Sequence, residues 1–139
     1  MTENAEFAVT QAGYTITARV TRESRDLLIE IIGGDVPHYG VVTTVQANGD
    51  EQTIALPSRP GHHHEEGALT RSIAKIIKPV LENNAIIVSG MHVNAITPVQ
   101  MRAAGKMTRQ LGEQIRAWIT AHPTAEITER FAPGKNHNH

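Results

Sequence analysis

Five strand-like runs come before any helical pattern in this chain, and that order restricts the fold more than any other feature. Phe7 to Gln11 and Tyr14 to Thr21 alternate apolar and polar residues on either side of Ala12-Gly13, the pattern of a hairpin of half-buried strands. Asp26 to Ile32, Asp-Leu-Leu-Ile-Glu-Ile-Ile, is more apolar and reads as a central strand stopped by Gly33-Gly34. Tyr39 to Ala47 and Glu51 to Leu56 flank Asn48-Gly49-Asp50, and Asn-Gly is the strongest short hairpin signal.

Helical spacing begins only afterwards. Leu69, Ile73, Ile76, Ile77 and Val80 predict a first helix from about Glu65 to Glu82, with Pro79 kinking its last turn. Ala85 to Ser89 is a short apolar run and reads as a buried strand. Thr97-Pro98-Val99-Gln100 then supplies a Thr cap, a proline at the first helical position and a capping-box glutamine. The helix it opens carries Ala104, Met107, Leu111, Ile115, Trp118 and Ile119 on one stripe and ends by His122-Pro123. Strands followed by two helices predict an α+β fold, an antiparallel (mixed) sheet with two helices packed on one face. One domain over residues 1–139 is expected, with a core from about 7 to 122 and a loose tail over 123–139.

Composition narrows the function. With 13 basic and 14 acidic side chains, the net charge of −1 provides no field for nucleic acid or an anionic membrane. No apolar run approaches the roughly 20 residues of a membrane span, and the acidic N-terminus lacks the order of a signal peptide. The absence of cysteine removes disulfides, thiolate metal sites and cysteine nucleophiles together. A cytoplasmic protein is expected.

Three glycine-marked turns concentrate the polar chemistry. Arg59-Pro60-Gly61-His62-His63-His64-Glu65-Glu66 runs into the first helix, where free backbone N–H groups, imidazoles and Arg59 suit an anion such as phosphate. The others are Gly33-Gly34-Asp35-Val36-Pro37-His38-Tyr39-Gly40 and Gly90-Met91-His92-Val93-Asn94. His62, His63, His64 and His92 are also candidate metal ligands, although no spacing such as H-E-x-x-H fixes a geometry. The plain alternative is that each histidine serves its own turn. Ser58, Ser72 and Ser89 lack any nucleophile setting, and Rossmann and P-loop patterns are absent.

Taken in order, Gly-Gly-Asp-Val-Pro-His-Tyr-Gly at 33–40, Arg-Pro-Gly-His-His-His-Glu-Glu at 59–66 and Gly-Met-His-Val-Asn-Ala-Ile-Thr at 90–97 resemble the signature turns of the LpdD family. These are small bacterial proteins encoded beside gallate decarboxylase and related UbiD-type decarboxylases. The resemblance covers about Phe7 to His122. It implies a fold similar to proteasome assembly chaperones, a homodimer, and a non-catalytic chaperone that holds reduced prenylated FMN and passes it to an apo-decarboxylase.

The expected contacts follow from the ligand. Arg59 and the helix N–H groups suit the phosphate, with His62, His63 and His64 beside them. Gly33, Gly34 and Gly90 would let backbone approach the ring, and Asp35, His38, His92 and Asn94 would face its polar edge. Met91 offers a soft apolar surface, and Tyr39 is the only aromatic residue in these turns. The chain shows no electron sink of its own for decarboxylation, so a cofactor would supply it. Two other readings stand beside this one: a metal-dependent small-molecule enzyme using the histidines, and a purely structural assembly chaperone.

Overall fold

The computed structural model describes residues 2–57 and 67–133. The elements are β1 (Thr2–Gln11), β2 (Tyr14–Glu23), β3 (Asp26–Gly34), β4 (Val41–Val45), β5 (Glu51–Ala55), α1 (Gly67–Ile77), β6 (Ala85–His92) and α2 (Pro98–Ala121). Six strands form one sheet in the order β1-β2-β3-β6-β4-β5. All neighbours run antiparallel except β3 and β6, the central pair, which are parallel. The fold is therefore α+β with a mixed sheet, and both helices lie on one face.

Alternation decides which face that is. Tyr14, Ile16, Ala18 and Val20 of β2, Leu27, Ile29 and Ile31 of β3, Val41 and Val45 of β4, and Ala85 and Ile87 of β6 are buried beneath the helices. Ile73, Ala74 and Ile77 of α1 and Met107, Leu111, Ile115 and Ile119 of α2 close the same core. Gly112 lets the two helices approach, since a Cβ there would meet Ile76 Cδ1 at 2.7 Å and Ile73 Cδ1 at 3.3 Å. The capping box of α2 is formed as expected, with Thr97 Oγ1 accepting from Gln100 N at 3.2 Å and Gln100 Oε1 from Thr97 N at 3.0 Å.

Several boundaries differ from the sequence expectation. β1 starts at Thr2 rather than Phe7, because cross-strand ion pairs (Arg22–Glu3 at 2.8 Å, Arg19–Glu6 at 3.2 Å) continue the pairing where apolar alternation is weak. Arg22, only 3% exposed, also lies 5.0 Å from the centre of the Trp118 ring. α1 ends at Ile77 and passes into a 3-10 turn, Lys78–Val80. Pro79 has no N–H to continue the α-helical ladder. The start expected near Glu65 lies outside the described residues. Residues 123–133 contain no helix or strand, yet Thr124 donates to Glu82 and Arg25 donates to the Ile127 carbonyl at 3.0 Å.

Candidate functional site at one edge of the sheet

Strand directions bring the turns together. β3 and β6 both finish at the edge where the β1–β2 hairpin turns (Ala12 φ 52°, Gly13 φ 82°), where β4 begins and where β5 ends. Both helices start there too. Thr70 of the first turn of α1 accepts from buried Thr43 of β4 at 2.8 Å, and Tyr14 at the start of β2 donates to the Gln100 carbonyl at 2.8 Å. This edge therefore carries the partial positive ends of two helices.

Gly33-Gly34 and Gly90-Met91-His92 belong to β3 and β6 rather than to turns, with Gly33 opposite Met91 and Gly34 opposite His92. The chain leaving β3 has to reach β4 on the far side of β6. It passes across β6 at Gly90: His38 N donates to Gly90 O at 3.5 Å, and Gly40 N donates to Ser89 O at 2.8 Å. A Cβ on Gly90 would overlap the His38 carbonyl and come within 3.0 Å of Tyr39 Cα. Likewise a Cβ on Gly34, at φ +78°, would overlap the His92 carbonyl, and one on Gly33 the Thr15 carbonyl. The space that these glycines leave is filled by the protein's own backbone: the crossing requires Gly34 and Gly90, and the close approach of β2 requires Gly33.

Polar side chains lock the crossing. The His92 carbonyl accepts from Asp35 N at 2.6 Å and Val36 N at 3.1 Å, and Asp35 Oδ2 accepts from Asn94 N at 2.7 Å. His92 Nε2 lies 3.0 Å from Asn94 Oδ1, and His38 Nδ1 lies 3.0 Å from the Val36 carbonyl. The structure thus places Asp35, His38, His92 and Asn94 at one edge. Met91 is separated from them: strand alternation turns it to the helix side, where it packs against the core.

Arg59, His62, His63 and His64 lie outside the described residues. The described residues on either side return to the same edge, since Leu56 N donates to Gly40 O at 2.7 Å and Gly67 lies against Val41. Among the described residues no group of three or more histidine or carboxylate side chains is placed to hold a metal ion.

Two further features emerge only once the strands are paired, although the surplus of Ile and Leu in Asp26–Ile32 already pointed to the second. Ser89, directly before Gly90, is fully buried, and its hydroxyl has no hydrogen-bond partner among the described residues. The second is the face of the sheet away from the helices, on which Leu28, Ile86 and Ile54 are 39%, 47% and 57% exposed. Cross-strand pairing sets them beside half-buried Ile32, Val88 and Val42. Period-2 alternation could have flagged Leu28 and Ile32, but neighbours across β3 and β6 depend on a pairing between distant segments. A cavity of about 420 Å³ lies on this face at its β1–β3 end, lined by Asn4, Glu6, Arg19, Thr21 and Glu30 among others. Among the described residues no helix is long and apolar enough to cross a membrane.

The mixed sheet with two helices on one face is an α+β fold shared with a solved structure. A subunit in a structure described as a novel chaperone complex for yeast 20S proteasome assembly superposes with a TM-score of 0.53, covering 85% of this chain and 97% of that one at 8% identity. That likeness concerns the fold alone. Residues 10–120 match the model of the prenylated flavin chaperone LpdD-like domain, and the chain belongs to that family. Protein LpdD of Lactiplantibacillus plantarum is 40% identical over 128 residues, 91% of this chain and 94% of that protein. Family membership makes this a chaperone, a non-catalytic accessory protein rather than an enzyme.

Proposed function

We propose that this protein binds reduced prenylated FMN at the edge formed by the 33–40 and 90–97 segments and delivers it to an apo UbiD-type decarboxylase. The observation that carries this reading is the closure of the two segments on each other, through Asp35, His92 and Asn94, within the stretch matched by the prenylated flavin chaperone family. Asp35, His38, His92 and Asn94 supply donors and acceptors for the polar rim of a flavin. Arg59, His62, His63, His64 and the N–H groups opening α1 take its phosphate. Gly34 and Gly90 serve the site indirectly by letting the crossing sit flat on the sheet, and Gly33 by letting β2 approach β3.

The protein works as a homodimer, in the cytoplasm, and the uncovered sheet face supports the pairing. Parallel strands are normally covered on both sides, and among the described residues the central parallel pair has helices on one side only. An isologous contact centred on Leu28 and Ile86, leaving the Tyr39 side chain open, would cover part of the other.

Anaerobic titration of untagged protein with reduced prenylated FMN, with and without EDTA, tests the binding step. Binding unaffected by EDTA is expected. Arg59→Ala should weaken it roughly ten- to more than a hundred-fold, the range for a lost charge-assisted phosphate contact. Binding abolished by EDTA would instead favour the metal-dependent reading.

A further inference from the structure

We propose that Tyr39 is the stacking surface for the flat ring system of the ligand, and that Glu30 is the positioning residue that holds the phenol in place. This rests on the flavin reading above. Tyr39 sits where the chain crosses β6 at Gly90, next to His38 and at the same end of the sheet as His92. Its hydroxyl donates to Glu30 Oε1 at 2.6 Å, so the side chain runs from the crossing to β3 along the face away from the helices. Glu30 is opposite Val88 and Arg19 in the sheet, and it also borders the cavity of about 420 Å³.

Two features set this tyrosine apart from ordinary surface decoration. It is 57% exposed although both ends of the side chain are fixed, one by the backbone crossing and the other by a short hydrogen bond to a carboxylate. A ring held open in this way loses little further freedom when a ligand lies on it, which is the condition for efficient aromatic recognition. It also lies within the only candidate segment that contains an aromatic residue, beside the polar groups assigned to the ring edge. The hydrogen bond to the carboxylate raises the phenol above its ordinary value of 10.0. The ring is neutral at physiological pH in any case, and the hydrogen bond anchors it.

The test is anaerobic titration with reduced prenylated FMN of the full-length protein and of Tyr39→Phe, Tyr39→Ala, Glu30→Gln and Glu30→Ala, each followed by sedimentation and circular dichroism. Tyr39→Ala should bind at least roughly ten-fold more weakly, and Tyr39→Phe roughly three-fold more weakly, as should Glu30→Ala, because the aromatic face carries the contact and the hydrogen bond to Glu30 only anchors it. Glu30→Gln retains an acceptor and should stay close to the parent. Glu30→Ala should weaken binding in the parent but not in Tyr39→Phe, an interaction between the two sites that a purely structural role would not produce. Parent-like affinity in Tyr39→Ala would overturn the proposal. So would a changed sedimentation coefficient with unchanged affinity, which would make Tyr39 a subunit contact. Failure of the parent to bind would instead remove the flavin reading on which the proposal rests.

Discussion

The carboxylate of Asp35 accepts the backbone N–H of Asn94 at 2.7 Å, joining segments 59 residues apart in sequence. This bond adds a side-chain tie to the backbone bonds that already join the exit of β3 to β6 at the His92 carbonyl. Asp35→Ala should remove it, leave those backbone bonds in place and cost about 1 kcal/mol, the scale of a hydrogen bond at an exposed position. Asp35→Asn, which keeps an acceptor, should cost less. Urea unfolding measures both, and equal midpoints for parent and alanine variant would show that the tie contributes nothing.

The crossing at Gly90 makes a sharper prediction. Gly90→Ala puts a methyl group against the His38 carbonyl, which is backbone and has no rotamer by which to withdraw. A cost of about 2–3 kcal/mol or more is expected, the scale of forced overpacking. Gly105→Ala in α2 provides the contrast, since a Cβ there finds nothing nearer than Arg109 Nη1 at 3.6 Å. That substitution should stabilise by about 0.5–1 kcal/mol through helix propensity. Urea midpoints moving in the same direction for both variants would contradict this account of the crossing.

If the uncovered sheet face is a subunit contact, Ile86→Lys places a charge at its centre, opposite Leu28 and Thr44. The side chain is 47% exposed in the single chain, so the substitution should leave the fold intact. Sedimentation should show the parent as a dimer at micromolar concentration and the variant as a monomer with a native circular dichroism spectrum. A parent that is monomeric, or a variant that stays dimeric, would move the contact elsewhere.

Much of this architecture was legible from local chemistry. The Ala12-Gly13 and Asn48-Gly49 turns, the alternation of β2 and the capping box at Thr97 and Gln100 are each encoded within a few residues. Sheet order was not legible, because the parallel pairing of Leu27–Gly34 with Ala85–His92 is a non-local choice that no periodicity announces. The same non-local step explains the partial reading of the site. Its glycines stood out in the sequence, but the reason for them, a chain passing over a strand, exists only once β6 lies between β3 and β4.

Residues 123–133 carry the pH dependence that can be derived most directly. Thr124 donates from its backbone and its hydroxyl to Glu82 Oε1 at 2.9 and 3.0 Å. These bonds, the backbone one first, hold the Glu82 carboxyl below its ordinary value of 4.5. A depressed folded value means that the tether contributes fully above the unfolded pKa and is lost as pH falls through the folded one. Amide-exchange protection at Thr124, corrected for intrinsic rates, should therefore fall as the solution is acidified below pH about 4. In Glu82→Gln it should be independent of pH across that range. Protection in the parent that does not change with acidification would refute the tether.

If this chaperone carries a cofactor for another protein, handing it over can be watched directly. The protein would be loaded anaerobically with reduced prenylated FMN, freed of excess by rapid gel filtration, and mixed with an apo UbiD-type decarboxylase. Flavin should stay with the chaperone through filtration, then move to the decarboxylase as decarboxylase activity appears and the chaperone emerges empty. Flavin lost during filtration, or retained by the chaperone while the decarboxylase stays inactive, would contradict cofactor delivery.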